Sequence, residues 1–525
     1  MPVGQPAINR LTTSQTVAPD LRQLFELRRE QFSDKVFLFS ELGGWTLSYQ
    51  QIDRLVNQTA NLLKACGVGK GNTVSLLLSN CVEYVLFYFA CWKLGALAGP
   101  INAHLKGPEI TYILNNSEAV VLATQASFWP ALQSIRSELE CLDRVILIDE
   151  RVEGTIDYRS EVSRESDQLS PTDLDQDDEA IIIYTSGTTG KPKGVLLTHR
   201  NLVANARQIA EWLKFDYDDR FLCIMPLFHM NAVAVTTLAP LYVGASMVLS
   251  AKFSASRHWQ TISDYGVTTF GSVATMLSML LNTYPDGIPA GLDTSRLKFA
   301  MCGSAPVPVP VMEQFEARFH CPAIEGYGLS ESTCRSTFNP PDARRRLGSV
   351  GLPIGNEMKI FDDADRELPP GQIGEIVLRG ENIMKGYYKN PDATRQAFRS
   401  GWFHTGDVGY RDEDGFFYVV DRKSDMIIRG GENIYPREID EVLYQHPAVK
   451  DAATIGVPDE LYGEEVKAFV VLKDGMSCAE DELIAFCRAR LADYKCPKTI
   501  QFLDDIPKGP TGKLLKRELA KNSGQ

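Results

Sequence analysis

The sequence has few features of a secreted, membrane-spanning or metal-scaffold protein. Its 11 cysteines are an odd number, and none form a Cys-x-x-Cys pair or a zinc-spaced Cys/His cluster. We therefore expect free thiols in a reducing cytoplasm. The first 15 residues lack the apolar core of a signal peptide. The most apolar stretch, residues 84–92, is far shorter than the ~20 residues of a spanning helix, so we predict a buried helix and no transmembrane segment.

Positive charge is also scarce. The 54 Lys and Arg residues against 67 Asp and Glu give a net charge of −13, which argues against binding of nucleic acid through its phosphates. The run Arg344, Arg345 and Arg346 is interpreted as an exposed loop. A Gly-x-Ser-x-Gly elbow is absent too, so the sequence offers no α/β-hydrolase nucleophile.

The chain is long enough for two or more domains, because single cores stop growing at roughly 250–300 residues. Its first half alternates amphipathic stretches with short apolar runs, a pattern typical of helix-covered parallel sheets. This pattern predicts helices at 48–66, 81–94 and 201–213 and strands at 73–77, 180–184, 220–225, 246–249 and 297–302.

The pattern of apolar and polar residues changes in the second half of the sequence. Short β-like runs at 357–361 and 374–379 predict a small β-rich subdomain at 341–421. We expect one large amino-terminal domain over 1–421 and a separate α+β domain over 422–525, with a helix at 436–444, a strand at 465–472 and a helix at 479–491.

Residues 184–195 read Tyr-Thr-Ser-Gly-Thr-Thr-Gly-Lys-Pro-Lys-Gly-Val, behind an apolar run. Glycines allow close backbone approach, hydroxyls donate hydrogen bonds and lysines supply charge, as a triphosphate requires. The spacing is not that of a Walker A loop. A polar surface loop has the same composition, so the other motifs decide between the two. The phosphate-binding candidates are Thr185, Ser186, Gly187, Thr188, Thr189, Gly190 and Lys193.

This stretch resembles the signature of the adenylate-forming superfamily, which includes acyl-CoA synthetases, peptide adenylation domains and luciferases. Further motifs follow in the family's order, so the resemblance covers residues 20–517. The closest likeness is to bacterial medium-chain and carnitine/crotonobetaine CoA ligases. The resemblance implies two helix-covered sheets, a β-barrel-like subdomain and a mobile carboxyl-terminal domain.

The resemblance also implies an ATP site with Mg²⁺. Gly326-Tyr327-Gly328-Leu329-Ser330-Glu331 matches a family motif in which the tyrosine stacks on adenine, the hydroxyl meets the α-phosphate and the glutamate holds magnesium. Here serine replaces the usual threonine. Asp407 is expected to bind the ribose hydroxyls and Arg422 to lie near the ribose. The loop Gly303, Ser304 and Ala305 passes along adenine, and Glu325 precedes the tyrosine motif.

The acyl pocket is expected beside the histidine of Pro226-Leu227-Phe228-His229-Met230. His229 either gates this pocket, contacts the substrate carboxylate or is an ordinary half-buried histidine. Arg335 either pairs with an acidic residue or meets a polar or anionic group on the acid. The candidate pocket residues are Phe228, Met230, Val273, Met276, Cys334 and Arg335.

The carboxyl-terminal motifs indicate the second half-reaction. Pro510-Thr511-Gly512-Lys513 resembles the element that carries the family's catalytic lysine. Gly430 and Gly431 resemble the loop that forms a pantetheine tunnel for CoA after the domain rotates. Ser424 stands at the usual pivot position, between Lys423 and Asp425, where the family has Lys or Asp.

We therefore predict an AMP-forming acid–CoA ligase with Lys513, Glu331, His229 and Ser330 as its catalytic residues. Its substrates would be a small carboxylic acid, ATP and CoA. Two alternatives remain: a ligase that loads a separate acyl carrier protein, and a nucleotide-binding module without turnover. The sequence does not identify the acid, and it leaves homodimerisation open.

Overall fold

A computed structural model describes residues 18–185, 191–304, 307–508 and 515–522. Among these residues, no helix is long and apolar enough to cross a bilayer. The α-helices are α1 (Leu21–Phe32), α2 (Tyr49–Ala65), α3 (Val82–Leu94), α4 (Gly107–Asn116), α5 (Trp129–Ile135), α6 (Tyr158–Val162), α7 (His199–Trp212), α8 (Ala239–Val243), α9 (His258–Tyr265), α10 (Ala274–Thr283), α11 (Val309–Phe319), α12 (Pro391–Ala397), α13 (Pro436–Tyr444), α14 (Glu480–Arg488) and α15 (Lys516–Asn522).

The strands belong to two large sheets, two five-stranded sheets and one two-stranded ribbon. They are β1 (Val36–Ser40), β2 (Thr46–Ser48), β3 (Thr73–Leu77), β4 (Leu97–Pro100), β5 (Ala119–Thr124), β6 (Arg144–Leu147), β7 (Ile156–Asp157), β8 (Glu179–Thr185), β9 (Lys193–Thr198), β10 (Arg220–Cys223), β11 (Ser246–Leu249), β12 (Thr269–Ser272), β13 (Phe299–Cys302), β14 (Ala323–Glu325), β15 (Thr337–Phe338), β16 (Leu352–Pro353), β17 (Glu357–Phe361), β18 (Gly374–Arg379), β19 (Gly386–Tyr387), β20 (Phe398–Arg399), β21 (Trp402–Arg411), β22 (Phe417–Arg422), β23 (Ile427–Arg429), β24 (Glu432–Ile434), β25 (Val449–Asp459), β26 (Gly463–Leu472) and β27 (Thr499–Phe502).

The two large sheets are mostly parallel, as predicted. The seven-stranded sheet has the order β14-β13-β12-β10-β11-β1-β2, and only its edge pair β1–β2 is antiparallel. The eight-stranded sheet has the order β19-β9-β8-β4-β3-β5-β6-β7, with antiparallel pairing at β8–β9 and β9–β19. The large amino-terminal domain is thus an α/β layered structure, and a smaller carboxyl-terminal domain follows it.

Helix α3 lies in the core between the two large sheets, because its side chains are apolar on every face. The hydroxyl of Tyr88 donates to the Leu227 carbonyl at 2.8 Å, and the indole of Trp92 donates to the Ala180 carbonyl at 3.1 Å. Lys93 at its end is buried and bonds Asp53 at 2.5 Å. The prediction of a buried helix at this place is confirmed.

Helix ends follow the capping residues. Ser48 and Thr198 each form a capping box with the side chain three residues on, so α2 begins at Tyr49 and α7 at His199. The predicted start at 201 was therefore two residues late. The predicted helix at 479–491 ends earlier, at Arg488.

Several strands were not predicted, among them β9 and β25. β9 pairs antiparallel with β8, so the predicted phosphate loop joins two strands of a hairpin rather than a strand and a helix. β25 pairs along its whole length with β26 in the carboxyl-terminal sheet, although Asp, Gly and Pro interrupt its apolar pattern.

Candidate active site

The site lies at the carboxyl ends of the parallel strands β12, β13 and β14, where ligands bind in open α/β sheets. Cys302, the last residue of β13, pairs in register with Glu325, the last residue of β14. The loops that follow begin with Gly303 and Gly326, and the Gly326 amide donates to the Cys302 carbonyl at 3.0 Å. Both loops therefore leave the sheet at the same edge.

A cavity of about 540 Å³ opens between this edge and the carboxyl-terminal domain. Six residues predicted to bind ATP line it: Ser304, Glu325, Gly326, Tyr327, Asp407 and Arg422. The opposite wall carries basic residues that motif analysis did not select: Arg437, Lys450, Lys508 and Lys516. The structure thus brings residues that are far apart in sequence, such as Ser304 and Lys508, to one cavity wide enough for a nucleotide.

A tyrosine, an aspartate and an arginine form a chain of contacts in this cavity. The Tyr327 hydroxyl donates to Asp407 Oδ2 at 2.6 Å, and Arg422 Nε lies 3.3 Å from Asp407 Oδ1. Burial, followed by the negative charge of Asp407, raises the pKa of Tyr327 well above its usual value. The predicted adenine and ribose residues are therefore adjacent.

Glu331 lies in a 3₁₀ turn, Ser330–Ser332, beside a tyrosine that sequence analysis missed. The hydroxyl of Tyr387 donates to Glu331 Oε1 at 3.0 Å, and the ammonium of Lys193 lies 5.0 Å from the Tyr387 ring centre. Burial raises the pKa of Glu331. Tyr387 thus joins the phosphate-loop lysine to the predicted magnesium carboxylate; nothing in its sequence context signals this role.

Glu325 is a buried carboxyl with one unsatisfied oxygen. Its Oε1 accepts from the Val307 amide at 3.3 Å, whereas Oε2 has no partner among the described residues. Desolvation raises its pKa to about 7. Near neutral pH this group therefore exchanges a proton readily.

The glycines at the strand ends are required by crowding. A Cβ on Gly303 would lie 2.2 Å from Arg335 Nη1 and 2.5 Å from the Gly326 carbonyl oxygen. A Cβ on Gly328 would lie 1.9 Å from the Cys334 carbonyl oxygen. Any larger residue would push the loops away from one another. At these positions the backbone therefore lies close to neighbouring protein atoms.

The predicted acyl-pocket residues belong to one apolar cluster, which contains Phe228, Met230, Val273 and Cys334, with Met276 packed against it. His229 stands at its edge, its ring 4.5 Å from that of Phe228. Burial lowers the pKa of His229 to about 4, and its Nε2 has no partner among the described residues. His229 is therefore uncharged at neutral pH.

Arg335 is buried in the same region, with 1% of its surface exposed. Nη1 donates to the Gly326 carbonyl at 3.0 Å, whereas Nε and Nη2 have no partner among the described residues. Its main chain is fixed by Asn205, which accepts from the Arg335 amide at 3.1 Å and donates to its carbonyl at 2.7 Å. The sequence gave no signal for Asn205, which lies 130 residues away.

In the carboxyl-terminal domain, Gly430 and Gly431 form the two-residue turn between β23 and β24, with φ of 59° and 89°. Such hairpin turns favour glycine because both central residues have positive φ. Neither glycine lines the cavity among its described residues. At the predicted pivot, Ser424 Oγ donates to Asp425 Oδ1 at 3.0 Å, and the Lys423 amide donates to the Gly406 carbonyl.

Some predicted residues lie outside the part of the chain that the structure describes: Ser186, Gly187, Thr188, Thr189, Gly190, Ala305 and Lys513. Thr185, the last residue of β8, and Ser330 are half-buried. Lys508 and Lys516, on either side of Lys513 in sequence, both line the cavity.

Sequence comparison identifies relatives across the whole chain. The AMP-binding enzyme family model matches residues 25–388, and the model of the AMP-binding enzyme C-terminal domain matches residues 438–513. A sulfoacetate–CoA ligase of Cupriavidus necator is 38% identical over 97% of this chain and 98% of its own length. A crotonobetaine/carnitine–CoA ligase of Salmonella arizonae is 36% identical over 95% and 98%.

Solved structures agree in fold. The anthranilate CoA ligase AuaEII with anthranoyl-AMP superposes with a TM-score of 0.89 at 31% identity, covering 96% of this chain and 98% of that one. ATP-bound MatB from Rhodopseudomonas palustris gives 0.89 at 29% identity, covering 95% and 98%. The predicted family, fold class and type of enzyme are confirmed. The chain belongs to the AMP-binding enzyme family, as an AMP-forming acid–CoA ligase.

Proposed function

We propose that this protein activates a small carboxylic acid with ATP and Mg²⁺ and transfers the acyl group to CoA, using one cavity for adenylation. The observation that carries the proposal is the cavity itself, which gathers six predicted nucleotide residues and the two lysines that flank Lys513. Its charged groups surround a space of nucleotide size. A pure binding module would not need a lysine near the bond that breaks.

In the first half-reaction the acid carboxylate attacks the α-phosphate of ATP, forming acyl-AMP and releasing pyrophosphate. Tyr327 would pack against adenine, and Asp407, already next to Arg422, would accept hydrogen bonds from the ribose hydroxyls. Ser330 and Lys193 would contact phosphate oxygens. Lys513 would stabilise the charge on the oxygen that bridges carboxylate and phosphate.

The residues around Glu331 fit magnesium. Oε1 accepts a hydrogen bond from Tyr387, and no described basic side chain forms an ion pair with Glu331; only the charge of Arg422 acts on it from beyond ion-pair distance. Magnesium is usually held by one or two carboxylates together with substrate phosphates. When bound, the ion would neutralise the pyrophosphate that leaves. Glu331 would hold it, with Tyr387 fixing the orientation of the carboxylate.

In the second half-reaction the CoA thiolate attacks the acyl carbonyl and AMP leaves. We propose that the carboxyl-terminal domain, divided from the first near residues 421 and 422, rotates to bring Gly430 and Gly431 to the cavity. An exposed apolar patch beside this turn supports the rotation: Ile428 is 50% exposed, Leu461 78% and Tyr462 40%. Such a patch is suited to being covered in a second domain position.

We place the reaction in the cytoplasm, in keeping with eleven cysteines that are all free. All proposed site residues come from a single chain, so a dimer is not required for the chemistry.

The test is acid-dependent pyrophosphate release by the purified protein with short, medium, aromatic and charged carboxylic acids, followed by thioester analysis with CoA or with an acyl carrier protein. We expect release with at least one acid and a thioester with CoA. If a thioester formed only on the carrier protein, the acyl acceptor would be the carrier protein instead of CoA. Absence of pyrophosphate release with every acid would contradict the proposed activity and favour the alternative of a nucleotide-binding module without turnover.

A further inference from the structure

Two arginines on neighbouring segments, one buried and one half-buried, differ in how their charge is matched. Arg345 bonds Glu316 with Nη2 to Oε2 at 2.7 Å and donates from Nη1 to the Ala323 carbonyl at 2.9 Å. Arg335 is more deeply buried, yet two of its three guanidinium nitrogens lack a partner, and it forms no ion pair with any acidic side chain in the described ranges. No acidic side chain in those ranges lies within ion-pair distance of Arg335, although its charge acts on the nearby Glu325 carboxyl.

A guanidinium without an ion-pair partner is costly to bury, because it loses its hydration and here gains only the interaction with Glu325, which lies beyond ion-pair distance. Buried polar groups without partners are rare enough that each one requires an explanation. Packing against the Phe338 ring, 5.2 Å from the Arg335 Cζ, offsets part of this cost but does not satisfy the N–H groups. A ligand with acceptor oxygens would satisfy them.

The position of Arg335 is fixed from several sides. Asn205 bonds its amide and carbonyl, and Asn382 donates to the same carbonyl at 3.3 Å. Thr333, two residues before Arg335, has φ of 66°, and its hydroxyl donates to the Asn382 carbonyl at 2.7 Å. Gly303 leaves room for the guanidinium, since a Cβ there would collide with Nη1. These contacts fix the position of Arg335, so its side chain is held in place for contact with a ligand.

Other unsatisfied polar atoms lie at the same strand ends. Asn231 Oδ1 is buried without a partner among the described residues, while its Nδ2 lies 3.5 Å from Ser304 Oγ. His229 Nε2 is likewise unpartnered. Phe228, Met230 and Val273 belong to the main apolar core of the amino-terminal domain. The region therefore combines buried apolar side chains with polar atoms that lack partners among the described residues.

We propose that Arg335 determines specificity by binding an anionic group, a carboxylate or a sulfonate, at the far end of the acid substrate. This inference rests on the proposed acid activation and names the class of acid. The planar fork of arginine matches two oxygens of such a group, and Nε with Nη2 forms one edge of that fork. Plain alkanoates would leave Nε and Nη2 of Arg335 without hydrogen-bond acceptors.

The experiment compares acids of equal chain length that differ only at the far end: alkanoates, ω-hydroxy acids, dicarboxylates and ω-sulfo acids. Initial rates of pyrophosphate release give kcat/KM for each. We expect the dicarboxylate or ω-sulfo acid to exceed the alkanoate by about 10²- to 10⁴-fold, since sites built to bond a polar group reject analogues that lack it. The acid with the higher kcat/KM shows whether the site prefers a carboxylate or a sulfonate.

Three variants separate recognition from folding. Arg335→Met should remove the preference for the anionic acids while retaining volume, and Arg335→Lys should restore part of it. Arg345→Met is the matched control: it loses a half-buried, ion-paired arginine outside the site and should leave the ratio of kcat/KM values unchanged. Thermal shifts by each acid, measured without ATP, give a readout that does not depend on turnover.

Two results would overturn the inference while leaving the proposed activity intact. One is an enzyme that prefers plain alkanoates, with the ratio unaltered in Arg335→Met. The other is loss of the preference to the same extent in Arg345→Met, which would make the effect one of folding. Absence of release with every acid would instead overturn both the activity and the inference.

Discussion

The two domains that border the cavity use glycine for different physical reasons. In the amino-terminal domain Gly303 is required because a Cβ would strike Arg335 and the Gly326 carbonyl. In the carboxyl-terminal domain Gly431 is required because its φ is 89°, and a Cβ there would meet nothing within 4 Å. Glycine serves close packing in one domain and turn geometry in the other.

Charged residues in the two domains also differ in their partners. In the amino-terminal domain Arg335 and Glu325 each keep unpartnered polar atoms among the described residues. In the carboxyl-terminal domain Lys516 lies 3.8 Å from Asp421, and Lys508 pairs with Asp451, although Asp440 Oδ1 also lacks a partner among the described residues. Under the proposed roles, we expect substitutions near Arg335 to change the choice of acid and substitutions in the carboxyl-terminal domain to change the half-reaction that is catalysed.

The largest effect is expected from Lys513→Ala. Loss of one charge that stabilises the reacting oxygen typically lowers the rate about 10²- to 10³-fold. Pyrophosphate release should fall by this factor, whereas preformed acyl-AMP should still be converted to thioester because that step uses the other domain position. Lys473→Ala, an exposed lysine of the same domain, is the control. Near-normal release in Lys513→Ala would show that the assignment is wrong.

Gly431→Leu tests the other half-reaction. A side chain at the turn should obstruct the thiol path, and misplacement of reacting groups by about 1 Å can cost roughly 10²-fold. We expect acyl-AMP to accumulate on the enzyme without thioester, as measured by quenched single-turnover analysis. Gly431→Asn, which tolerates positive φ, separates side-chain obstruction from backbone strain. Unchanged thioester formation in Gly431→Leu would remove this turn from the CoA path.

Stability should depend on pH through Glu325. Its folded-state pKa of about 7 lies above its ordinary value of 4.5, so the folded state holds the proton more tightly. The stability gained from the neutral carboxyl is present below pH 4.5 and is lost as the pH rises to 7. Glu325→Gln should remove this loss, a difference of about 3 kcal/mol by pH 8.

Urea unfolding of wild type and Glu325→Gln at pH 5 and pH 8 measures this effect. Asp440, on the opposite wall, also has a pKa raised by burial to about 7, so Asp440→Asn should act in the same direction. Equal pH dependence in wild type and Glu325→Gln would mean that Glu325 is ionised in the folded protein.

The smallest effects come from alanine at the two kinds of glycine. Gly303→Ala should cost about 1–3 kcal/mol through overpacking and also impair adenylation, because the Arg335 loop must shift. Gly431→Ala should cost about 1–2 kcal/mol through positive φ while leaving pyrophosphate release unchanged. Thermal unfolding and adenylation rates measure both. Equal loss of adenylation in the two variants would contradict the different roles given to Gly303 and Gly431.

The sequence predicted the parallel sheets because their strands are continuous apolar runs, and it placed α13 and β3 to the residue. It missed β9 because a strand of six residues directly follows a loop of polar character. It also missed the contact of Tyr387 with Glu331, since 56 residues separate them and only folding makes them neighbours. Motifs identify residues that touch the nucleotide, but not those that orient them.

The clamp on residue 335 acts on its main chain, through Asn205 and Asn382, rather than on its side chain. A different amino acid at this position would inherit the same anchoring without any change to the nucleotide-binding residues. Acid selectivity is therefore separable from catalysis within the architecture. Under the role proposed for Arg335, replacement of this one side chain would change the acid that is selected and leave the residues proposed for ATP binding in place.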